Sequence, residues 1–239
     1  MSIASKLQKV LEIKNNIKQA LINKGVDVSG GFENFAEQIE NIQGGGGLPS
    51  GYVELEYIQN TTNGNYINLF YYATQDTKLV TTLEHSGNYA TTSASLLIGS
   101  VDGTNTFRLA CSSSGATPSR GFTANVANVS INLGSGLTAN KKYNIELSMS
   151  DGFFVDGVLK GTYAQSTFKS TQPFYLFNAS NSTNHCFLGK IYATQIYEGD
   201  TLLYDLVPVK QKDNGDYGFY NKVNGCLYLP VSQSGMTGK

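Results

Sequence analysis

Tryptophan is absent from the 239 residues, and charge is scarce, with Asp, Glu, Lys and Arg together making up 15% of the chain against about a quarter in an ordinary globular protein. The surface must therefore be covered by neutral polar groups, which Ser, Thr, Asn, Gly and 15 Tyr supply. A net charge of −1 provides none of the cationic field that drives non-specific nucleic-acid binding, so DNA and RNA are poor partners. Cysteine is sparse and odd in number: Cys111, Cys186 and Cys226 are too few and too scattered for a disulfide framework, and all three are expected to be reduced. Long apolar runs are missing as well. The opening MSIASKLQKV is not a secretion signal, and no segment reaches the length needed to cross a bilayer. The chain reads as one that folds in a cytoplasm. What remains is a 40% hydrophobic share, enough for the core of one large domain with a small appendage.

Catalytic constellations are also lacking. His85 and His185 have no partner at metal-ligand spacing, and His185 beside Cys186 would point to the opposite face of a strand. Gly44–Gly47 precede no Lys-Ser or Lys-Thr, which makes them a linker and not a phosphate loop. Glu54 and Glu56 are the only glutamates at the alternate spacing that brings two carboxyls to one strand face, as retaining glycoside hydrolysis requires. An exposed outer face explains them more simply. The chain is expected not to be an enzyme.

The first part of the chain is helical in pattern. Ile3, Leu7, Val10, Ile17 and Leu21 alternate spacings of four and three, with Lys14 at the missing step, which predicts an amphipathic helix over 2–24 with a coiled-coil stripe. A second apolar run, Phe32, Phe35, Ala36, Ile39 and Ile42, predicts a shorter helix folding back on the first. Helices of this length are marginal alone, so the hairpin, residues 1–43, is read as an oligomerisation segment. Packing of the stripe against the same chain is the other reading. Residues 44–50 form a glycine-rich linker ending in the turn Leu48-Pro49-Ser50-Gly51, and residues 51–239 form the main domain.

That domain reads as β throughout. Strands are predicted at 52–59, 65–72, 77–84, 95–100, 105–111, 127–133, 142–149, 152–156, 158–163, 173–178, 186–197 and 202–208, with short strands in the turn-rich tail. Asp156-Gly157 between Phe153-Phe154-Val155 and Val158-Leu159 predicts a tight two-residue hairpin. Pro208 confines the end of its strand to an edge or an exit. Many antiparallel strands with no crossover helix predict a two-sheet sandwich.

Several segments together resemble the concanavalin A-like and laminin-G-like jelly rolls of phage fibres and tail-associated proteins. The opening Leu48-Pro49-Ser50-Gly51-Tyr52-Val53-Glu54-Leu55-Glu56-Tyr57-Ile58, the hairpin Phe154-Val155-Asp156-Gly157-Val158 and the tail from Leu206-Val207-Pro208-Val209 through Gly218-Phe219-Tyr220-Asn221-Lys222-Val223-Asn224 to Leu227-Tyr228 carry the likeness. Ile17 to Val26 is similar to a helical segment of tail-associated phage proteins. The resemblance implies a mainly β jelly roll behind a helical oligomerisation hairpin. It also implies a virion protein, placed on the virion surface after folding in the host cytoplasm, that attaches to a bacterial surface glycan or polymer. Its partners would be further copies of itself, a trimer in the fibre reading, and other virion proteins met through the N-terminal helices, without insertion into a membrane. A non-binding head or tail decoration is the alternative, and a glycosidase-like enzyme the third.

Ligand contact is expected from loops holding adaptable polar groups beside an aromatic: Asn88 and Tyr89 in the loop 85–92, and Arg120 in the loop 112–121. No resident cofactor is expected. Laminin-G-like domains often hold calcium, and Asp102 and Asn105 offer two oxygen ligands in a turn. Hard cations want six or more, and an Asx-stabilised turn is the preferred reading.

Overall fold

The computed structural model describes residues 3–23, 48–86, 95–113, 120–134, 136–180 and 186–239. The chain divides into two compact units, Met1–Tyr52 and Val53–Lys239. In the first, α1 covers Ile3–Asn23, one residue short of the expected span at each end. Leu7 and Val10 on its stripe are 65% and 61% exposed and Ile17 is half-buried. The side chains of Ile3 and Leu21, and the expected second helix over 32–42, lie outside the described residues.

The second unit is a two-sheet antiparallel sandwich. Its strands are β1 (Tyr52–Glu54), β2 (Ile58–Asn60), β3 (Ile67–Asn68), β4 (Thr77–His85), β5 (Ser95–Ser100), β6 (Phe107–Ser113), β7 (Arg120–Val126), β8 (Val129–Asn132), β9 (Lys142–Ser148), β10 (Gly152–Val155), β11 (Val158–Gly161), β12 (Tyr175–Leu176), β13 (Gly189–Glu198), β14 (Thr201–Gln211), β15 (Tyr217–Asn221), β16 (Leu227–Tyr228) and β17 (Met236–Gly238). The larger sheet runs β11-β10-β9-β4-β13-β14-β15-β16, with β1 on β14, β2 on β13 and β17 on β2. The smaller runs β3-β12-β5-β6-β7-β8. Alternation drives the assembly: Leu79 and Leu83 of β4, Ile145 and Leu147 of β9 and Ile191 and Ile196 of β13 are fully buried, while residues such as Lys78, Thr82 and Glu146 face outward. Phe107, Phe153, Phe174, Phe177, Phe187 and Phe219, all 0% exposed, fill the space between the sheets.

The hairpin at Asp156-Gly157 forms as expected, with φ of 52° and 74° and Val155 opposite Val158. A turn of the same hand, Ala127 and Asn128 at φ 47° and 62°, joins β7 to β8, so these residues are not part of the strand predicted at 127–133. The loop expected at 112–121 is shorter than read, because β6 continues to Ser113 and an unpredicted β7 starts at Arg120. The predicted strand 52–59 breaks after Glu54, where the Leu55 N–H turns to the Pro208 carbonyl at 2.9 Å. Pro208 lies within β14, beyond Leu206, the last residue paired with β13. Its missing N–H therefore costs no bond to that strand, and β14 continues on β15.

The predicted strand 65–72 undergoes the largest correction, since only Ile67–Asn68 pair as a strand. The Asn68 side-chain oxygen accepts the Phe70 N–H at 2.7 Å, an Asx turn that competes with the ladder. Phe70 is thereby held at φ 56°, a left-handed conformation that is an outlier for a bulky side chain.

Candidate functional site

The Asx turn determines which aromatics reach solvent. Leu69 and Ala73 remain fully buried, whereas Phe70 is 72% exposed and Tyr72 is 44% exposed. Between them Tyr71 turns inward against Phe174 and Tyr204, at ring separations of 6.1 and 5.8 Å. The segment thus plants one ring in the core and presents two outside it.

A groove of about 470 Å³ runs beside these rings. One wall is Phe70, Tyr71, Tyr72 and Thr74, and the other comes from Glu198 at the end of β13, Leu203 and Tyr204 in β14 and Asn224 in the β15–β16 turn, with Lys169 also on the lining. Its polar groups are held in place. The Thr74 hydroxyl donates to Glu198 Oε1 at 2.6 Å, and the Tyr71 hydroxyl donates to Glu198 Oε2 while lying 2.6 Å from the Thr77 hydroxyl. Tyr204 donates to the Leu69 carbonyl at 2.9 Å, which pins β14 to the Phe70 segment. Burial and then the bond to Glu198 push the Tyr71 hydroxyl well above the ordinary tyrosine range, and burial raises Tyr204 likewise. Both remain protonated donors. Asn224 donates to the Tyr228 hydroxyl at 3.4 Å. The groove offers two exposed rings, one ammonium, one carboxylate with both oxygens engaged, and one exposed amide. That suits stacking and hydrogen bonding to a polyol, because aromatic faces take up C–H surface while amide and hydroxyl groups set orientation.

Asn88 and Tyr89 lie outside the described residues, as does the Arg120 side chain, whose backbone opens β7 opposite Ser113. Phe70, Tyr72, Lys169 and Asn224 were missed. The Phe-Tyr-Tyr run at 70–72 was the available signal, since a strand cannot place three consecutive rings in the core. Nothing local marks Lys169 or Asn224, which the topology brings from distant parts of the chain.

Asp102 and Asn105 share one turn. Asp102 Oδ2 accepts the Thr171 N–H at 2.5 Å, its carbonyl accepts the Asn105 N–H at 2.7 Å, and Gly103–Asn105 form a 3-10 turn. Among the described residues Asp102 is the one carboxylate of this turn and is already engaged, where a hard cation wants six or more oxygens. Among the described residues no group of three or more His, Cys, Asp or Glu is placed to hold a metal. Glu54 and Glu56 are exposed, and Glu56 pairs with Lys142 at 2.9 Å.

A second polar cluster lies on the outer face of the larger sheet. Glu84 accepts from Lys190 at 2.7 Å and from the Tyr192 hydroxyl at 2.8 Å. Lys142 lies over the Tyr192 ring and Lys190 over Tyr57. Burial pushes the Glu84 pKa up, but these donors outweigh it and leave the carboxyl below its usual range. Every charge of this cluster has a partner, which makes it a clamp between β4, β9 and β13.

No protein-family model matches the chain, and no curated protein matches its sequence. Solved structures show a likeness. A Bacteroides ovatus protein proposed to bind carbohydrate superposes with a TM-score of 0.56 at 12% identity, over 78% of this chain and 60% of that one. A heptameric pentraxin from Limulus polyphemus aligns with a TM-score of 0.41 at 9% identity, over 59% of this chain and 75% of that one. This chain therefore spans less than two thirds of the Bacteroides protein. Together with the strand order, the likeness to the Bacteroides structure identifies the domain as a jelly-roll-like β-sandwich.

Proposed function

We propose that the sandwich is a carbohydrate-recognition module that binds without turnover, and that its ligand lies in the groove beside Phe70 and Tyr72. The observation that carries this reading is Phe70: a large ring 72% exposed, kept in an unfavourable backbone conformation by a dedicated side-chain hydrogen bond. Backbone strain of this kind costs on the order of 1–3 kcal/mol and collects at ligand sites. The Bacteroides neighbour supports the same reading at the level of fold. The groove adjoins the Glu198 end of β13, while β2 pairs with the opposite end, at Gly189–Ile191.

In this proposal the chain is a phage virion protein of the fibre or tail-associated kind, and α1 brings several copies together. The exposed Leu7 and Val10 support self-association, and several weak sugar sites on one assembly raise avidity by orders of magnitude. Two experiments test it. Cys226 is exposed beside Asn224, while Cys111 and Cys186 are buried, so a fluorescent maleimide on Cys226 of the full chain reports groove filling. Signal changes are expected with a subset of bacterial surface polysaccharides and are expected to vanish in Tyr72→Ala. An intact fold that responds to none of them favours the decoration reading. The solution mass of the full chain against a version starting at Leu48 is expected to show an oligomer and a monomer; two monomers remove the assembly role.

A further inference from the structure

A separate crevice of about 330 Å³ opens at another edge of the sandwich, lined by the β8–β9 connection, β7, β9 and the β10–β11 hairpin. Its wall is formed by Phe122 and Tyr143, packed edge to face at 5.2 Å, with Leu133, Leu137 and Val155 beside them and the 55%-exposed Val158 as a lip. Polar groups that could greet a sugar here are already used. The Tyr143 hydroxyl accepts the Thr138 N–H at 2.7 Å and donates to the Gly136 carbonyl at 3.4 Å. Asp156 accepts the Asn144 N–H at 3.0 Å through one oxygen and the Lys141 ammonium at 3.2 Å through the other. Lys160 is exposed, and among the described residues it has no ion pair within 4 Å. The crevice therefore combines an apolar interior with a rim on which the Lys141 and Lys160 ammonium groups face the single Asp156 carboxylate, and its volume falls within the range of small-molecule sites.

We infer that this crevice is a second ligand site, distinct from the Phe70 groove, for a small amphipathic monoanion: an acyl or aryl carboxylate whose hydrocarbon end packs on Phe122, Leu133 and Leu137 and whose carboxylate meets Lys160. The match rests on charge complementarity, two ammonium groups against one carboxylate at the rim, joined to apolar walls with no spare hydrogen-bonding group.

Titration calorimetry of the full chain with sodium octanoate, and with 1-octanol as its uncharged counterpart, tests the assignment. Saturable 1:1 octanoate binding is expected. Lys160→Glu, an exposed change, should weaken it about tenfold through like-charge repulsion, and Leu137→Trp should abolish it by filling the crevice. Octanol should bind more weakly and ignore Lys160→Glu, and Phe70→Gly should leave octanoate binding unchanged. No saturable octanoate heat, octanol binding as tightly as octanoate, or octanoate binding unaffected by Lys160→Glu would each overturn the proposal.

Discussion

Replacing Phe70 with glycine should weaken ligand binding about 20-fold per site and at the same time stabilise the fold. An aromatic side chain buries about 150–250 Å² when fully covered, and 72% of Phe70 remains open. If a sugar covers one face, about half of that open area, it removes roughly 70 Å² from water, worth about 1.8 kcal/mol at about 25 cal/mol per Å². That corresponds to a loss of about 20-fold in affinity per site. Folding should respond in the opposite sense. Phe70 sits at φ 56°, where glycine carries no steric penalty, so relief of strain outweighs the small loss of packing and raises stability by roughly 0.5–1 kcal/mol. Chemical denaturation reads the second quantity and polysaccharide titration the first. Affinity retained within about twofold would remove the groove from consideration. A clear fall in stability would show instead that the ring is needed for packing.

Asn68→Ala should lower affinity without touching the ligand, because the Phe70 N–H loses its acceptor at 2.7 Å, and Asn68→Asp, which keeps an oxygen there, should restore most of it in the same titration. Glu84→Gln is expected to cost about 1–3 kcal/mol at neutral pH, since Lys190 and Tyr192 lose an ionised acceptor. Because the folded-state pKa of Glu84 is lowered, its contribution is full above the ordinary carboxylate range and fades as pH falls through the folded value. The stability gap between native and variant chains should close on acidification, and a gap that widens would contradict the assignment. Gly99→Ala should destabilise by about 3 kcal/mol or more, readable in thermal unfolding, because a Cβ would lie 2.2 Å from the Phe107 carbonyl at φ +132°.

Much of the sandwich was legible because its signals are local. Strand β4 alternates Leu79, Thr81 and Leu83 inward with Lys78, Val80 and Thr82 outward, and Asp156-Gly157 specifies its turn by backbone preference alone. Strand β7 was hidden because Arg120-Gly121 and the serines before it read as loop. What places it is pairing with β6 from Phe107–Val126 to Ser113–Arg120. The groove was hidden for a different reason. At Asn68 a side chain outcompetes the ladder for one N–H, so the best-looking strand residues, Phe70 and Tyr72, became its exposed rim. Glu198 is tied to Tyr71 and Thr74 across more than a hundred residues, a relation that no local window contains.

The position of β17 has a consequence for how the molecule is made. Asn60 of β2 is flanked by Gly189 of β13 on one side and Met236 of β17 on the other, so this part of the larger sheet cannot close until nearly all 239 residues have been synthesised. Pairing across such sequence separations is slow, about milliseconds to seconds even for small all-β domains. Residues 3–23, by contrast, are joined by the local hydrogen bonds of α1 and emerge long before the sandwich can close. Synthesis therefore imposes an order: the residues of α1 are in place while the larger sheet is still open, and β17 is the strand that lets it close.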